Sequence, residues 1–447
     1  MSLIDQHFAS LRRLCYRFAF CVVATLALPL QAAPRIEHWT TASGSAVYFI
    51  ASPALPMLDI RVDFPAGSAY DPVGKAGLAA LTHTLLDQGA GPDDEANVAR
   101  KLADLGAQLS GSLDTDRAGL SLRTLSQPEI RSAALSILSN VLSQPHFEEA
   151  ALVRERTRTI AGLKDALTRP DTLASRTFWS TLYGEHPYGQ LTTPDSLEAL
   201  ERKDVQAFFR RHYLAKAAVI TLVGDLKRTE AEAIAEALSA TLATPPETTA
   251  PAAVIPPVVR GSGKTVTLPH SAQQSHLLLG LPLIERGHPD FFPLLVGNYT
   301  LGGGGFVSRL MQEVREKRGY AYSVYSTLSL LKQPGPFQIG LQTRKSQAAA
   351  ALSLTRQVLD RFLAEGPSAT ELAAAKANLV GSFPLRLDSN KKLLDNVAAI
   401  GFYKLPLDWL DQYAARITAV SREDIRAAFA RAQIVERLNV VQVGTEE

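Results

Sequence analysis

Few side chains in this sequence stand at spacings that could do chemistry on their own. His83 and Asp87 are four residues apart in a stretch with helical periodicity, so both would share one helix face and could offer an imidazole and a carboxylate to a divalent ion. No third ligand stands near them, and the plainer reading makes His83 a partly exposed helical residue and Asp87 the mark of the helix end. His186 and His276 have no ligand spacing around them and read as hydrogen-bonded structural residues. Glycine-rich turns can cradle phosphate, but around Gly302–Gly305 there is neither a Walker pattern nor a Gly-Lys-Ser/Thr ending. Those glycines are read as letting the backbone approach a neighbouring element closely.

Cys15 and Cys21 both fall in residues 1–32, which read as an export signal. It has a basic stretch with Arg12, Arg13 and Arg17, an apolar run Phe18–Leu28, and Leu30-Gln31-Ala32 before Ala33-Pro34. Pro34 disfavours a cut after Ala33, so cleavage is placed after Ala32. An uncleaved membrane anchor is the alternative, although the run is short against a span of about 20 residues. Removal of the signal leaves no cysteine, and hence no disulfide, thiolate ligand or cysteine nucleophile. The destination is the periplasm.

Across the chain 46 Lys and Arg face 44 Asp and Glu, and without residues 1–32 the balance is 43 to 43. A chain so balanced has no basic field to draw nucleic acid or an anionic membrane surface, and no later stretch reaches membrane-spanning length. At 447 residues and 46% hydrophobic content it is long enough for at least two domains.

Two halves align. Leu200-Glu201-Arg202-Lys203-Asp204-Val205, Phe209 and Val223-Gly224 recur as Val420-Ser421-Arg422-Glu423-Asp424-Ile425, Phe429 and Val443-Gly444, each displaced by 220 residues. A segment rich in proline and small residues, 241–263, joins a domain over 33–240 to one over 264–447. In the first half the periodicity predicts strands at 47–50, 58–64, 108–113, 118–125 and 218–223, and helices at 77–86, 96–105, 148–168 and 202–213. The second half predicts strands at 266–268, 275–280, 321–327 and 337–343, and helices at 290–301, 307–317, 348–365 and 369–382. The fold class is α+β: two homologous domains, each a mostly antiparallel sheet covered by helices, facing each other across a cleft.

The segment Ala66-Gly67-Ser68-Ala69-Tyr70-Asp71-Pro72-Val73-Gly74-Lys75-Ala76-Gly77-Leu78-Ala79 resembles the insulinase/pitrilysin-like zinc metallopeptidases, which include the mitochondrial processing peptidases. The likeness continues in His186-Pro187-Tyr188-Gly189, in Leu301 to Gly305, and in Glu313-Val314-Arg315-Glu316-Lys317-Arg318-Gly319-Tyr320-Ala321-Tyr322. Active members carry HxxEH on the helix after the Gly-Leu-Ala segment, two histidines holding zinc and the glutamate acting as general base. Here those five positions are Ala80, Leu81, Thr82, His83 and Thr84, and the distant third ligand position falls on Ala161. The resemblance therefore implies a degenerate zinc site at Ala80, His83, Thr84 and Ala161, and no metal in this chain.

It also implies that Arg315 and Tyr322 are intact counterparts of an Arg/Tyr pair that hydrogen-bonds the substrate backbone. A guanidinium and a phenol are suited to donate to a peptide carbonyl and to charge developing on it. The implied function is that of a pseudoenzyme: the non-catalytic, substrate-binding subunit of a periplasmic heterodimeric peptidase, with zinc in a homologous HxxEH partner and peptides as substrate. A periplasmic peptide-binding or scaffold protein without a proteolytic role is the alternative.

Overall fold

In the second half of strand Met57–Phe64, apolar side chains alternate with charged ones: Ile60, Val62 and Phe64 against Arg61 and Asp63, and every one is buried. A strand with two buried faces of opposite character needs a cover on each side, and the architecture supplies both. The computed structural model describes residues 35–244, 254–259 and 261–445; the segment 1–32 read as an export signal, with its two cysteines, lies outside them, as does much of the proline-rich joint.

Six strands form the first sheet: β1 (Glu37–Thr40), β2 (Ala46–Ala51), β3 (Met57–Phe64), β4 (Gln108–Leu113), β5 (Ala118–Leu125) and β6 (Val219–Gly224), in the order β1-β2-β6-β3-β5-β4. Five form the second: β7 (Thr265–Pro269), β8 (Gln274–Ile284), β9 (Ala321–Leu328), β10 (Gly335–Arg344) and β11 (Asn439–Thr445), in the order β7-β11-β8-β10-β9. Apart from the extra β1 the topologies are the same. In each sheet one pair is parallel, β2 with β6 and β7 with β11, and the other pairs run antiparallel. The 220-residue displacement carries through β2 to β7, β6 to β11, and helix Pro128–Ser143 to helix Ala348–Glu365.

The expected helical cover comes only in part from the same half. Helix Pro170–Tyr183, in the first half, lies on β8 and β11 of the second sheet; helix Asn390–Phe402, its counterpart 220 residues on, lies on β2, β3 and β6 of the first. Each half thus lends a helix to the other. Two glycines make room for the exchange. A Cβ on Gly280 would sit 2.7 Å from the ring of Phe178, and one on Gly401 would sit 2.7 Å from the ring of Tyr48. Leu277, Leu279 and Leu281 of β8 point into the second core, while Leu278 joins Phe178, Val441 and Val443 in the first. On the first sheet, Asp395 of the lent helix pairs with Arg61 at 3.2 Å, and Arg61 and Arg117 hold the fully buried Asp63. A carboxylate buried this deeply is tolerable because two guanidiniums compensate it.

Helix Arg228–Thr241 ends where the joint begins. Within the joint Ile255 is buried, and the carbonyl of Pro256 lies 2.8 Å from His186 Nε2. No helix among the described residues is long and apolar enough to cross a membrane.

Candidate functional site

The first site is built on helix Leu78–Thr84. Asp71 sets its start, Oδ2 accepting the Gly77 amide at 2.7 Å and Oδ1 the Ala79 amide at 2.6 Å. Burial pushes the Asp71 carboxyl up to about 6 against the pull of those two amides. Gly77, at φ +102°, occupies the left-handed region that favours glycine. Leu78, Ala79, Leu81 and Thr82 are buried, which leaves Ala80 and Thr84, one turn apart, on the exposed face. Ala161 is exposed on helix Glu149–Ala166, which packs against this helix.

His83 turns the other way. Its Nε2 lies 3.0 Å from the Gly119 carbonyl, and its ring lies over β4 where a Cβ on Gly111 would be 2.2 Å from Cε1. Desolvation lowers the His83 pKa, so the neutral imidazole donates to that carbonyl. Two methyl groups, a hydroxyl and an imidazole committed to the sheet edge do not fit a zinc ion. Among the described residues no three His, Cys, Asp or Glu side chains are grouped to hold a metal.

The second site is built on the turn-rich segment before β9. Helix Phe291–Asn298 runs into a π-helical turn, Tyr299–Gly303, and a second π-helical turn, Met311–Glu316, takes the place of the regular helix expected over 307–317. Such turns add a residue to the helical repeat and often mark functional positions. Gly302 allows the close approach expected of it, since a Cβ there would be 2.6 Å from the Ser326 amide of β9. Arg309 anchors the segment by a bidentate pair to Glu371, 2.7 Å to each oxygen, and holds that carboxyl down to about 2.

Arg315 leaves the second π-helical turn half-buried, and Gly319, at φ +65°, turns the chain into β9, where Tyr322 is 84% exposed. The Arg315 guanidinium carbon lies 5.2 Å from the Tyr322 ring centroid and 4.8 Å from that of Phe306. The two residues expected to act together are therefore in contact, stacked as a cation between two rings. Among the described residues Arg315 has no carboxylate partner, so its N–H donors remain available. A cavity of about 480 Å³ opens beside the pair, between the glycine-rich turn and β9.

Sequence reasoning missed a third feature. Asp116, fully buried in the β4–β5 turn, accepts from the Tyr188 hydroxyl at 2.5 Å, the Tyr403 hydroxyl at 2.9 Å and the Lys332 amide at 2.7 Å. Tyr188 belongs to the His-Pro-Tyr-Gly segment, and Lys332 to the β9–β10 turn, so the carboxylate ties the two halves together. Burial raises the phenol pKa of both tyrosines, which keeps them protonated as donors. His186 supports the segment, its Nδ1 accepting the Tyr188 amide, while His276 sits within β8 opposite Gln342.

Two sequence profiles match the chain: "Insulinase (Peptidase family M16)" over residues 47–195 and "Peptidase M16 inactive domain" over residues 199–379. A protein of Streptomyces coelicolor described as an uncharacterized zinc protease is 29% identical over 66% of this chain and 65% of its own length. The non-peptidase homolog YmxG of Helicobacter pylori is 26% identical over 92% of this chain and 94% of its own. The crystal structure of a peptidase M16 inactive domain from Pseudomonas fluorescens superposes with a TM-score of 0.88 at 35% identity, covering 92% of this chain and 98% of that one. The periplasmic protease PqqL of Escherichia coli shares the fold, with a TM-score of 0.79 at 16% identity over 93% of this chain and 46% of its own.

Proposed function

The chain belongs to the M16 (insulinase) family of peptidases, and on that premise we propose that it is the non-catalytic, substrate-binding subunit of a periplasmic heterodimeric zinc metallopeptidase acting on peptides. A homologous subunit with HxxEH supplies the metal, the water and the general base. This chain supplies Arg315 and Tyr322, whose donors bind and orient the backbone of an extended peptide at the interface.

The observation that carries this reading is an asymmetry between the two halves. Ala80, Thr84 and Ala161 place small side chains on exposed positions where the family's ligands would stand, whereas Arg315 and Tyr322 are stacked on each other, Tyr322 exposed and Arg315 half-buried with no acidic partner among the described residues. Loss of function without selection would not be expected to spare one half of a site. A periplasmic protease of the same fold and about twice this length supports an assembly of two such units. The apparent export signal in residues 1–32 supports the location.

Co-expression with an HxxEH homologue from the same organism tests the proposal. The expected result is a stable one-to-one complex that cleaves peptides faster than the homologue alone. A stable homodimer of this chain, with no gain in cleavage, overturns it in favour of a peptide-binding or scaffold role.

A further inference from the structure

Arg315 and Tyr322 form a ridge between two cavities of different chemistry, and both residues line both. On one side, the cavity of about 480 Å³ presents Phe306, Met311, Val324 and Tyr325 over the glycine backbone. On the other, a cavity of about 320 Å³ is lined by Gln274, Gln342, Gln347 and Arg344 together with Arg315. That second lining contains two guanidiniums and no carboxylate.

We infer that the second cavity selects a carboxylate of the bound peptide, so that this subunit favours peptides with an acidic residue on one side of the ridge and an apolar residue on the other. The inference rests on the proposed peptide-binding role of the Arg315–Tyr322 pair.

The donor inventory points to an anion. Arg344 uses Nε on the Gln347 side chain, 3.2 Å away, which leaves its terminal nitrogens to donate. Gln342 donates to Gln274, which leaves the Gln274 amide nitrogen and the Gln342 amide oxygen unengaged among the described residues. Lys345, next in the chain, donates to the His270 carbonyl and adds a third positive charge nearby. Glu316 and Arg318 flank Arg315 in sequence and do not line the cavity. Two like charges on one wall are relieved by a carboxylate, which each guanidinium can meet with a charge-assisted hydrogen bond. A lysine in that position would be repelled, and a glutamine would bring no charge. On the opposite side Phe306 and Tyr325 offer exposed ring surface that an apolar side chain covers on binding.

The test measures binding by fluorescence anisotropy of the purified full-length chain to labelled peptides. These are Ala/Ser peptides with amidated C-termini, carrying one Leu and one Glu at each short spacing and in both orders, and the same set with Gln for Glu. The best Glu peptide is expected to bind about fivefold more tightly than its Gln counterpart, the scale of one partly exposed ion pair. Arg344→Gln should weaken the Glu peptide to the level of the Gln peptide, and Arg344→Lys should restore part of the preference. A Gln peptide with a free C-terminus that matches the Glu peptide supports the carboxylate site with a chain end as its source; one that does not supports a side-chain source. Equal binding of Glu and Gln peptides, or a preference that survives Arg344→Gln, overturns the inference. If Arg315→Ala weakens both peptides while no Glu preference exists, the peptide-binding role stands and only this inference falls. If no peptide binds, both fall.

Discussion

Exchange of helices between the halves has a thermodynamic consequence that Phe178 exposes. Its ring is fully buried against the second sheet although its helix belongs to the first half, and Gly280 lies directly beneath it. Truncation of a buried phenylalanine costs about 3–5 kcal/mol, through lost transfer energy and the cavity left behind. At roughly 2.1 cal/mol/K of unfolding entropy per residue, about 400 described residues give about 0.8 kcal/mol per degree, so Phe178→Ala should lower Tm by ~4–6 °C. The sharper expectation concerns cooperativity. Trp39 packs against the first core and Trp409 against the second, so variants retaining one or the other report each half separately. Both fluorescence transitions should coincide in the parent and move together on Phe178→Ala, because neither sheet keeps a covered outer face without the other half. Separate transitions in the parent, or a shift seen by one tryptophan alone, would refute the exchange as the source of stability.

Three further expectations follow from single sites. Asp116→Ala leaves two buried phenols and the Lys332 amide without their acceptor, and should cost ~3–5 kcal/mol in thermal unfolding, with Asp116→Asn retaining more than half of that. His212 is buried, hydrogen-bonded to the Pro65 carbonyl at 3.0 Å, and burial lowers its pKa from 6.5 to about 4. Its contribution is therefore whole above pH 6.5 and is lost as pH falls toward 4; the stability advantage of the parent over His212→Phe should shrink by about 3 kcal/mol between pH 7 and pH 4, measured by urea unfolding. Elemental analysis of the purified chain should find zinc well below stoichiometric, and a chelator should leave Tm unchanged, since the residues at Ala80, His83, Thr84 and Ala161 do not make a zinc site.

Much of the fold is legible locally. The strands at 108–113 and 118–125 and the helix at 348–365 have the predicted bounds, because each alternates or repeats its apolar residues cleanly and ends at turn-forming residues. The two exchanged helices are not legible. Pro170–Tyr183 is rich in Thr, Ser and aromatic residues with weak helix propensity, and Asn390–Phe402 buries an ordinary apolar stripe that does not say which sheet it covers. Their partners lie in the other half, and no local period names them. Asp116 reads from its neighbours as a turn residue, since its three donors come from residues 188, 332 and 403. Arg315 and Tyr322 sit in elements of different type, joined through a glycine turn, so only the resemblance of the surrounding segment pairs them. The π-helical turn under Arg315 escapes the sequence because its buried residues Leu310, Met311 and Val314 keep i, i+3 and i+4 spacings that a regular helix also satisfies.

The most direct test of the central claim is the peptidase activity of the complex formed with an HxxEH homologue, assayed with Arg315→Ala and Tyr322→Phe in this chain alone. Loss of preorganised donors to the peptide should lower kcat/KM by about 10²-fold for Arg315→Ala, with a smaller loss for Tyr322→Phe and no change in complex formation. Cleavage that proceeds at the parental rate in both variants would contradict the assignment of this chain as the substrate-binding half of the enzyme.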